Sequence, residues 1–431
     1  MFDVILTIFW GLVLLSIIVF VHELGHFLTA RAFKLRVKEF MIGLPGPNIG
    51  FKRKDTKYGI TALPLGGYCL IAGMEGGEDN PDLSRALALI AYFGTIDEEQ
   101  AARLSDQAGF DIVKALDTLS DWGTAVRSRK DGQYRYEIAA ATLGDNDYAQ
   151  GAARPLDDPD AFIQSEHSHT YGSLPWWRRM CILFAGSFFN LLFAVAVFCV
   201  ILMAQGQQVT TTTVQDVVAD SPAAAAHIET GDVLVSIDGQ ELTKWEDLTA
   251  VVATHAIGDS ITVGVNRDGT YMDLPIKLID NGNGKPIIGI TSQVVNQSLS
   301  FGDALSTSVG LIGVVFNAIV QLINPATFAD TVNQTSSVVG ISMEAKAAAG
   351  AGPLSFILLA AALSISIGLM NLLPIPPFDG GKIVIATIER IARRKIPVSV
   401  VNGISIAGIV AVIMLVFIAT NADIHRYFLN G

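Results

Sequence analysis

Charge is scarce in this chain and cysteine is nearly absent. Only 16 % of the 431 residues are charged against 51 % hydrophobic, and mean hydropathy is +0.45, a balance that excludes an ordinary soluble protein and implies several membrane spans. The three cysteines, Cys69, Cys181 and Cys199, lie in or beside apolar stretches without metal-type spacing. A disulfide framework and a Cys-based zinc site are therefore excluded, and these residues are expected to serve packing. Residues 1–21 have neither a basic start nor an A-x-A cleavage site, so the first apolar run is expected to stay attached. The net charge of −12 says little about partners, because in a membrane protein it matters more which loops carry the lysines and arginines.

Four apolar runs approach or reach the roughly 20 helical residues that cross a hydrocarbon core of ~30 Å. They cover 4–24, 180–204, 354–373 and 402–421. A fifth, 308–323, is shorter and interrupted by Gly310, Gly313, Asn317 and Gln321, and is expected to be interfacial or packed on the bundle. Basic residues cluster after the first span (Lys34, Arg36, Lys38, Lys52, Arg53, Lys54, Lys57), before the second (Arg178, Arg179) and between the third and fourth (Arg390, Arg393, Arg394, Lys395). These loops are cytoplasmic by the positive-inside rule, and four spans then put both termini outside.

Two soluble insertions follow. The outer one, 207–295, alternates β-branched residues between Gly and Asp signals, with Ala-rich and Trp-led helical pieces. Its Ser221-Pro222-Ala223, Gly231-Asp232 and Asp238-Gly239 resemble the pattern of a PDZ domain. The inner one, 80–140, has three helical stretches, the second opened by a Thr95/Glu98 capping box, and then two strands joined at Lys130-Asp131-Gly132. It looks like a winged-helix domain. Such domains often bind DNA, but Asp97, Glu98, Glu99, Asp106, Asp111, Asp117 and Asp121 would repel a phosphate backbone, so no nucleic acid is expected and a cytoplasmic protein partner is the better fit. Residues 141–172 read as a linker.

The chemistry sits where charge is least affordable. "HELGH", 22–26, ends the first span. His22 and His26 are four apart and share a helix face, so both can ligate one metal, with Glu23 to one side as in the H-E-x-x-H zinc hydrolases, where the glutamate takes a proton from the attacking water. The alternative is a pair of interfacial histidines beside a snorkelling glutamate. A catalytic zinc needs a third protein ligand and an open position. Asp379, in "MNLLPIPPFDGGK" after the third span, could turn inward to ligate or could cap the next helix. Four spans bring it to the side of His22 and His26; a crossing by 308–323 would reverse that.

"HELGH" in the first span, a PDZ-like segment after the second and "NLLPIPPFDGG" closing the third together resemble the site-2 protease family of intramembrane zinc metalloproteases, in its bacterial regulator of sigma-E protease branch. The resemblance implies Zn2+ held by His22, His26 and Asp379, Glu23 as general base, and substrate-holding groups at Asn371 and Pro374. It also implies a membrane-associated β-hairpin, matched by residues 58–74 around Pro64, Gly66 and Gly67, whose edge pairs with an unwound substrate.

The expected architecture is an α-helical polytopic membrane protein with four transmembrane helices, a PDZ-like extracytoplasmic domain and a winged-helix-like cytoplasmic insertion. Its segments are 1–33 (first span), 34–79 (hairpin loop), 80–140 (insertion), 141–175 (linker), 176–206 (second span), 207–295 (PDZ-like), 296–353 (interfacial helix), 354–388 (third span) and 389–431 (basic loop and fourth span). The implied activity is cleavage of single-pass transmembrane substrates, such as anti-sigma factors or signal-peptide remnants, in the bacterial inner membrane. The rival is a non-catalytic scaffold in which zinc ties two spans together while the two soluble domains recruit partners.

Overall fold

Each of the five apolar runs forms a helix. This follows from a medium without water, in which each backbone amide must be satisfied inside its own helix. The computed structural model describes residues 2–63, 66–74, 80–130, 132–140 and 148–425. Two units are distinguished, Met1–Phe198 with Ser308–Gly431, and Cys199–Thr307.

α1 (Phe2–Ala32) carries the whole HELGH stretch inside one helix. Beyond it, β1 (Val37–Ile42), β2 (Asn48–Arg53), β3 (Thr56–Thr61) and β4 (Gly67–Ile71) form a sheet in the order β2-β3-β1-β4. This corrects the expected hairpin over 58–74. β3 and β4 do not pair with each other, because β1 lies between them, parallel to β3 and antiparallel to β4. The hairpin is β2–β3, and β4 is left as an edge strand. Pro64 lies outside the described residues.

The inner insertion follows as α2 (Leu83–Phe93), β5 (Thr95–Asp97), α3 (Glu98–Ala108), α4 (Ile112–Trp122), β6 (Ala125–Lys130) and β7 (Gln133–Ile138), with sheet order β5-β7-β6. Leu87, Ile90, Ile96, Leu116, Trp122 and Tyr136 fill its core. The expected capping box at Thr95 is not formed. Thr95 opens a strand, and Asp97 caps α3 by accepting from the Gln100 N–H, because an aspartate next to the first turn outcompetes a threonine three residues away. Asp131, in the expected turn, lies outside the described residues, as do 141–147. The remainder of the expected linker is not free: Leu156 and, in α5 (Pro159–His167), Phe162 and Ile163 pack on the insertion's core.

α6 (Trp176–Gln205) leads into the second unit, where β8 (Gln207–Val217), α7 (Pro222–Ala225), β9 (Val233–Ile237), β10 (Gln240–Glu241), α8 (Trp245–Thr254), β11 (Ser260–Arg267), β12 (Thr270–Lys277), β13 (Ile279–Asp280), β14 (Pro286–Ile287) and β15 (Ile290–Gln297) follow. Its main sheet runs β12-β11-β9-β8-β15, with β10 on β9. The quoted motifs are structural. Ser221 caps α7, Asp232 accepts two bonds from the Arg267 guanidinium, and Asp238-Gly239, both at positive φ, turn β9 into β10.

The chain continues as α9 (Phe301–Ile323), α10 (Phe328–Gln334), α11 (Val338–Ala351), α12 (Pro353–Asn371), α13 (Asp379–Ala392) and α14 (Val398–Ile424). α9 is an unbroken 23-residue helix, longer than the interrupted run expected, since glycine weakens a helix by only about 1 kcal/mol and does not end it. Among the described residues, five helices are long and apolar enough to cross a membrane, α9 included.

Helix directions follow from packing. Gly25 and His26 of α1 meet Ala185 and Ile182 of α6, while Leu14 and Ile18 meet Phe193, so α6 runs against α1. Phe356 and Ala360 of α12 pack on Leu14 and Ile18, and Asn371 at its other end shares a cavity with His22, so α12 runs with α1. α14 returns, with Gly408 against Pro376 and the Asp423 carboxylate accepting from the Ser337 and Gly340 N–H groups. The chain from α6 to α12 therefore makes no net crossing.

The insertion is tied to β1 by charge. Arg36 donates to both oxygens of Glu166 (2.6 and 3.1 Å) and to the Trp122 carbonyl, and the Thr124 hydroxyl donates to Glu166 at 2.7 Å. Burial alone would raise the Glu166 carboxyl, but the Arg36 fork and Thr124 more than offset it and hold it below its usual range. A carboxyl lowered by folding stabilises above its ordinary value of 4.5, and that stabilisation is lost as pH falls from there through the lowered folded value. Glu166→Gln, which strands Arg36, is expected to cost about 3 kcal/mol. Hydrogen exchange in β6–β7 should rise at pH 7 in the variant, and in the wild type only below that range.

Candidate metal centre

Three ligand atoms converge at the end of α1. His22 and His26 lie one turn apart with their Nε2 atoms 3.2 Å from each other, and Asp379 Oδ2 lies 3.2 Å from both. Donors held tetrahedrally at zinc's usual 2.0–2.1 Å sit about 3.3 Å apart, so these atoms make one face of a zinc tetrahedron of the right size. Among the described residues this is the one His/Cys/Asp/Glu group close enough to hold a metal, and all three members are buried.

The alternative of Asp379 as a helix cap is not what the chain does. Phe378 occupies the N-cap position, and Asp379, first residue of α13, turns its carboxylate to the imidazoles. Its other oxygen meets Lys382 Nζ at 3.4 Å. His26 Nδ1–H donates to the Ile182 carbonyl at 2.8 Å, which leaves the Nε2 lone pair free. His22 Nδ1 faces the fully buried amide of Asn190, whose nitrogen is drawn at 3.4 Å and whose oxygen has no partner among the described residues. Turning that amide over places the oxygen to accept the Nδ1–H that a ligating His22 must carry.

These groups line a cavity of about 670 Å³ that also takes in Glu23, Asn371 and the whole of β4. Glu23 is half-buried beside Gly67. Of the sequence-derived candidates, His22, Glu23, His26, Asp379, Asn371 and Gly67 are brought together. Gly66 and Pro374 are not. Gly66 is a turn glycine at φ +94° whose carbonyl accepts from the Gly43 N–H, and Pro374 is exposed, both away from the cavity lining. Gly67 has a steric reason as well: a Cβ there would come within 2.6 Å of Val19 and 3.2 Å of the Glu23 Cγ, so only glycine lets β4 lie against α1.

Sequence reasoning missed the role of Gly186 on α6. A Cβ at Gly186 would overlap His26 Nε2 and come within 2.7 Å of His22, so this glycine makes room for the ligand atoms. The signal was the cluster Gly186-Ser187 with Asn190, small and polar residues in an otherwise apolar span, which mark close helix packing or function.

Comparison with known proteins bears on the family of the whole chain. The family model described as peptidase family M50 matches residues 10–415. The "Metalloprotease MmpA" of Caulobacter vibrioides is 28 % identical over 96 % of this chain and 94 % of its own. The "Probable protease eep" of Enterococcus faecalis is 28 % identical over 98 % and 99 %, and the "Zinc metalloprotease RasP" of Geobacillus kaustophilus 26 % over 97 % and 97 %. Among solved structures, the PDZ domain of an SdrC-like protein from Listeria innocua aligns over 21 % of this chain and 99 % of its own, with 26 % identity and a TM-score of 0.18.

Gly186→Ala removes no ligand and is nonetheless expected to lower zinc affinity by about 10- to 100-fold, the range seen when groups behind a ligand are altered. Zinc retained by the purified protein against a graded chelator series checks this; full retention would mean that α6 does not shape the site.

Proposed function

The chain belongs to peptidase family M50, a family of zinc metalloproteases, and we propose that it is an intramembrane endopeptidase that cuts a single transmembrane segment near its cytoplasmic end. The observation that carries this reading is the three-atom face of His22, His26 and Asp379 on the same cavity as Glu23 and an unpaired sheet edge. Zinc, when bound, supplies Lewis acidity that acidifies water and polarises a carbonyl. Glu23 takes the proton of the attacking water and hands it to the leaving amine. A helical substrate keeps its amides bonded internally, so it must be unwound first, and β4 offers an edge to hold the opened strand. Asn371, at the end of α12, is placed to bond the substrate backbone.

The protein is read as four-spanning in the bacterial inner membrane with both termini outside, the basic loops inside and α9 at the interface. Antiparallel α1 and α6, parallel α1 and α12, and returning α14 support that count. The 207–295 domain is read as PDZ-like and extracytoplasmic, filtering substrates by size or binding a trimmed C-terminus. Residues 80–140 are read as a winged-helix-type domain, on the helix–strand–helix–helix–strand–strand order, that meets a cytoplasmic protein and not nucleic acid. Substrates would be single-pass proteins already trimmed outside, such as anti-sigma factors, or signal-peptide remnants. Against the scaffold alternative, the described ligand cluster has three members, whereas a closed structural zinc has four.

Glu23→Gln is expected to keep zinc and to lose cleavage of a model transmembrane substrate by at least about 10²-fold. Asp379→Ala is expected to lose both. Zinc content and cleavage measured on the same detergent preparations check this, and normal cleavage by Glu23→Gln would return the scaffold reading.

A further inference from the structure

A second cavity, of about 440 Å³, opens between the β2–β3 hairpin and the inserted domain. Three of its cations are compensated: Arg36 by Glu166, Lys38 by Asp121 and the Ser120 carbonyl, and Arg127 by Asp117. Four others, Lys52, Lys54, Lys57 and Arg154, make no ion pair among the described residues. Lys52 stands directly opposite Lys57 across the hairpin, a like-charge pairing that weakens a sheet, while Glu39 of β1 stands opposite Lys57 on its other side. Arg154 is only 7 % exposed. One of its nitrogens donates to the Ala139 carbonyl, while Nε and Nη1 have no partner among the described residues. Burial holds this guanidinium below its usual range, against the smaller opposing pull of Glu166 and Tyr148.

Three carboxylates share the cavity, and all three are engaged. Glu39 accepts from the Tyr68 hydroxyl at 2.7 Å, and Glu166 is held by Arg36 and Thr124; the third is Asp55, at the hairpin turn. The cleft is therefore electropositive, with nitrogen donors to spare, and an oxyanion with several acceptors is the ligand that fits it.

The other face of the same hairpin identifies the source of that anion. Ile49 pairs with Ile60 and Phe51 with Tyr58, which puts these side chains opposite to Lys52 and Lys57, and Ile49 is 88 %, Phe51 65 % and Ile60 55 % exposed. A two-stranded ribbon with one apolar and one basic face suits a membrane surface, with acyl chains against the first and headgroups toward the second. The geometry points to a site for the phosphate of an anionic phospholipid, held by Lys52, Lys57 and Arg154 between the hairpin and the inserted domain. Such a lipid would cement the inserted domain to the bilayer beside the metal centre. None of the three cations is among the residues proposed for catalysis.

The test uses full-length protein in neutral detergent, stripped of lipid and titrated with fluorescent phosphatidylglycerol; phosphatidylcholine and inorganic phosphate form the other arms. Wild type is expected to bind phosphatidylglycerol roughly 10-fold or more tightly than phosphatidylcholine, and Lys52→Gln/Lys57→Gln to lose roughly 10- to 30-fold of that affinity, the factor that two surface cations supply. Arg154→Met should lose a similar factor. The double variant relieves a repulsion and so reads the site even where Arg154→Met fails to fold. Equal affinity for the two lipids, or for wild type and the double variant, would overturn the proposal. Displacement of the labelled lipid by millimolar inorganic phosphate would assign the cleft to a soluble phosphate and overturn the lipid. Zinc content should be the same in all three proteins, so a failure here is separate from a failure of the protease reading.

Discussion

Two imidazole nitrogens and a carboxylate oxygen held 3.2 Å apart in a buried place are a costly arrangement. Their lone pairs point at a common centre and repel unless a cation or protons stand between them. Much of the helical body serves this convergence. Asp379 comes from a position 357 residues further along the chain than His22, so the site exists only if several helices pack closely enough to bring both ends together. Glycine provides that closeness. A Cβ at Gly25 would overlap the Ala185 carbonyl, one at Gly186 the imidazoles, one at Gly381 the Pro376 nitrogen, and one at Gly408 the Pro376 carbonyl. In lipid, where helices gain nothing from hiding apolar surface, such contacts between small residues are what makes association specific.

The same convergence sets what lies around it. α1 must continue past its apolar run so that the histidines stay helical and in phase, and the sheet that follows is thereby delivered to the helix end that carries them. β4 fits there only because Gly67 has no side chain to meet Val19. An unpaired strand edge is ordinarily a hazard, which natural sheets blunt or cover. Here it lines the cavity of the metal centre.

The candidate site was legible in proportion to how local its logic is. His22, Glu23 and His26 fall within five residues on one helix, so spacing alone placed them. Asp379 remained ambiguous between ligand and cap, because its own segment does not say which way a carboxylate after a Pro-rich break will point; the packing of Gly380 and Gly381 against the 372–376 turn decides it. The sheet was read wrongly at 58–74 because alternation identifies strands and not their partners, and β1, which separates β3 from β4, is a short stretch that carries both Lys38 and Glu39. Pro374 and Gly66 were placed by motif position, and both sit where the chain turns. The role of Gly186 was passed over because a glycine in a span looks like any other until the neighbouring helix is known.

The basic residues after the first span do more than orient the chain. Arg36 and Lys38 reach from β1 to the Trp122 and Ser120 carbonyls and to Glu166 and Asp121, and so bind the inserted domain to the sheet. A domain placed between the first and second spans could have hung from flexible joints. Instead it is fixed beside the strand that pairs with β4. The positive charge that follows α1 is thus split in two. One part is consumed in docking a domain, while Lys52, Lys54 and Lys57, one turn of sheet away, are left without ion pairs among the described residues. The division follows strand geometry: β1 is the inner strand that meets the domain, and the β2–β3 turn projects past it.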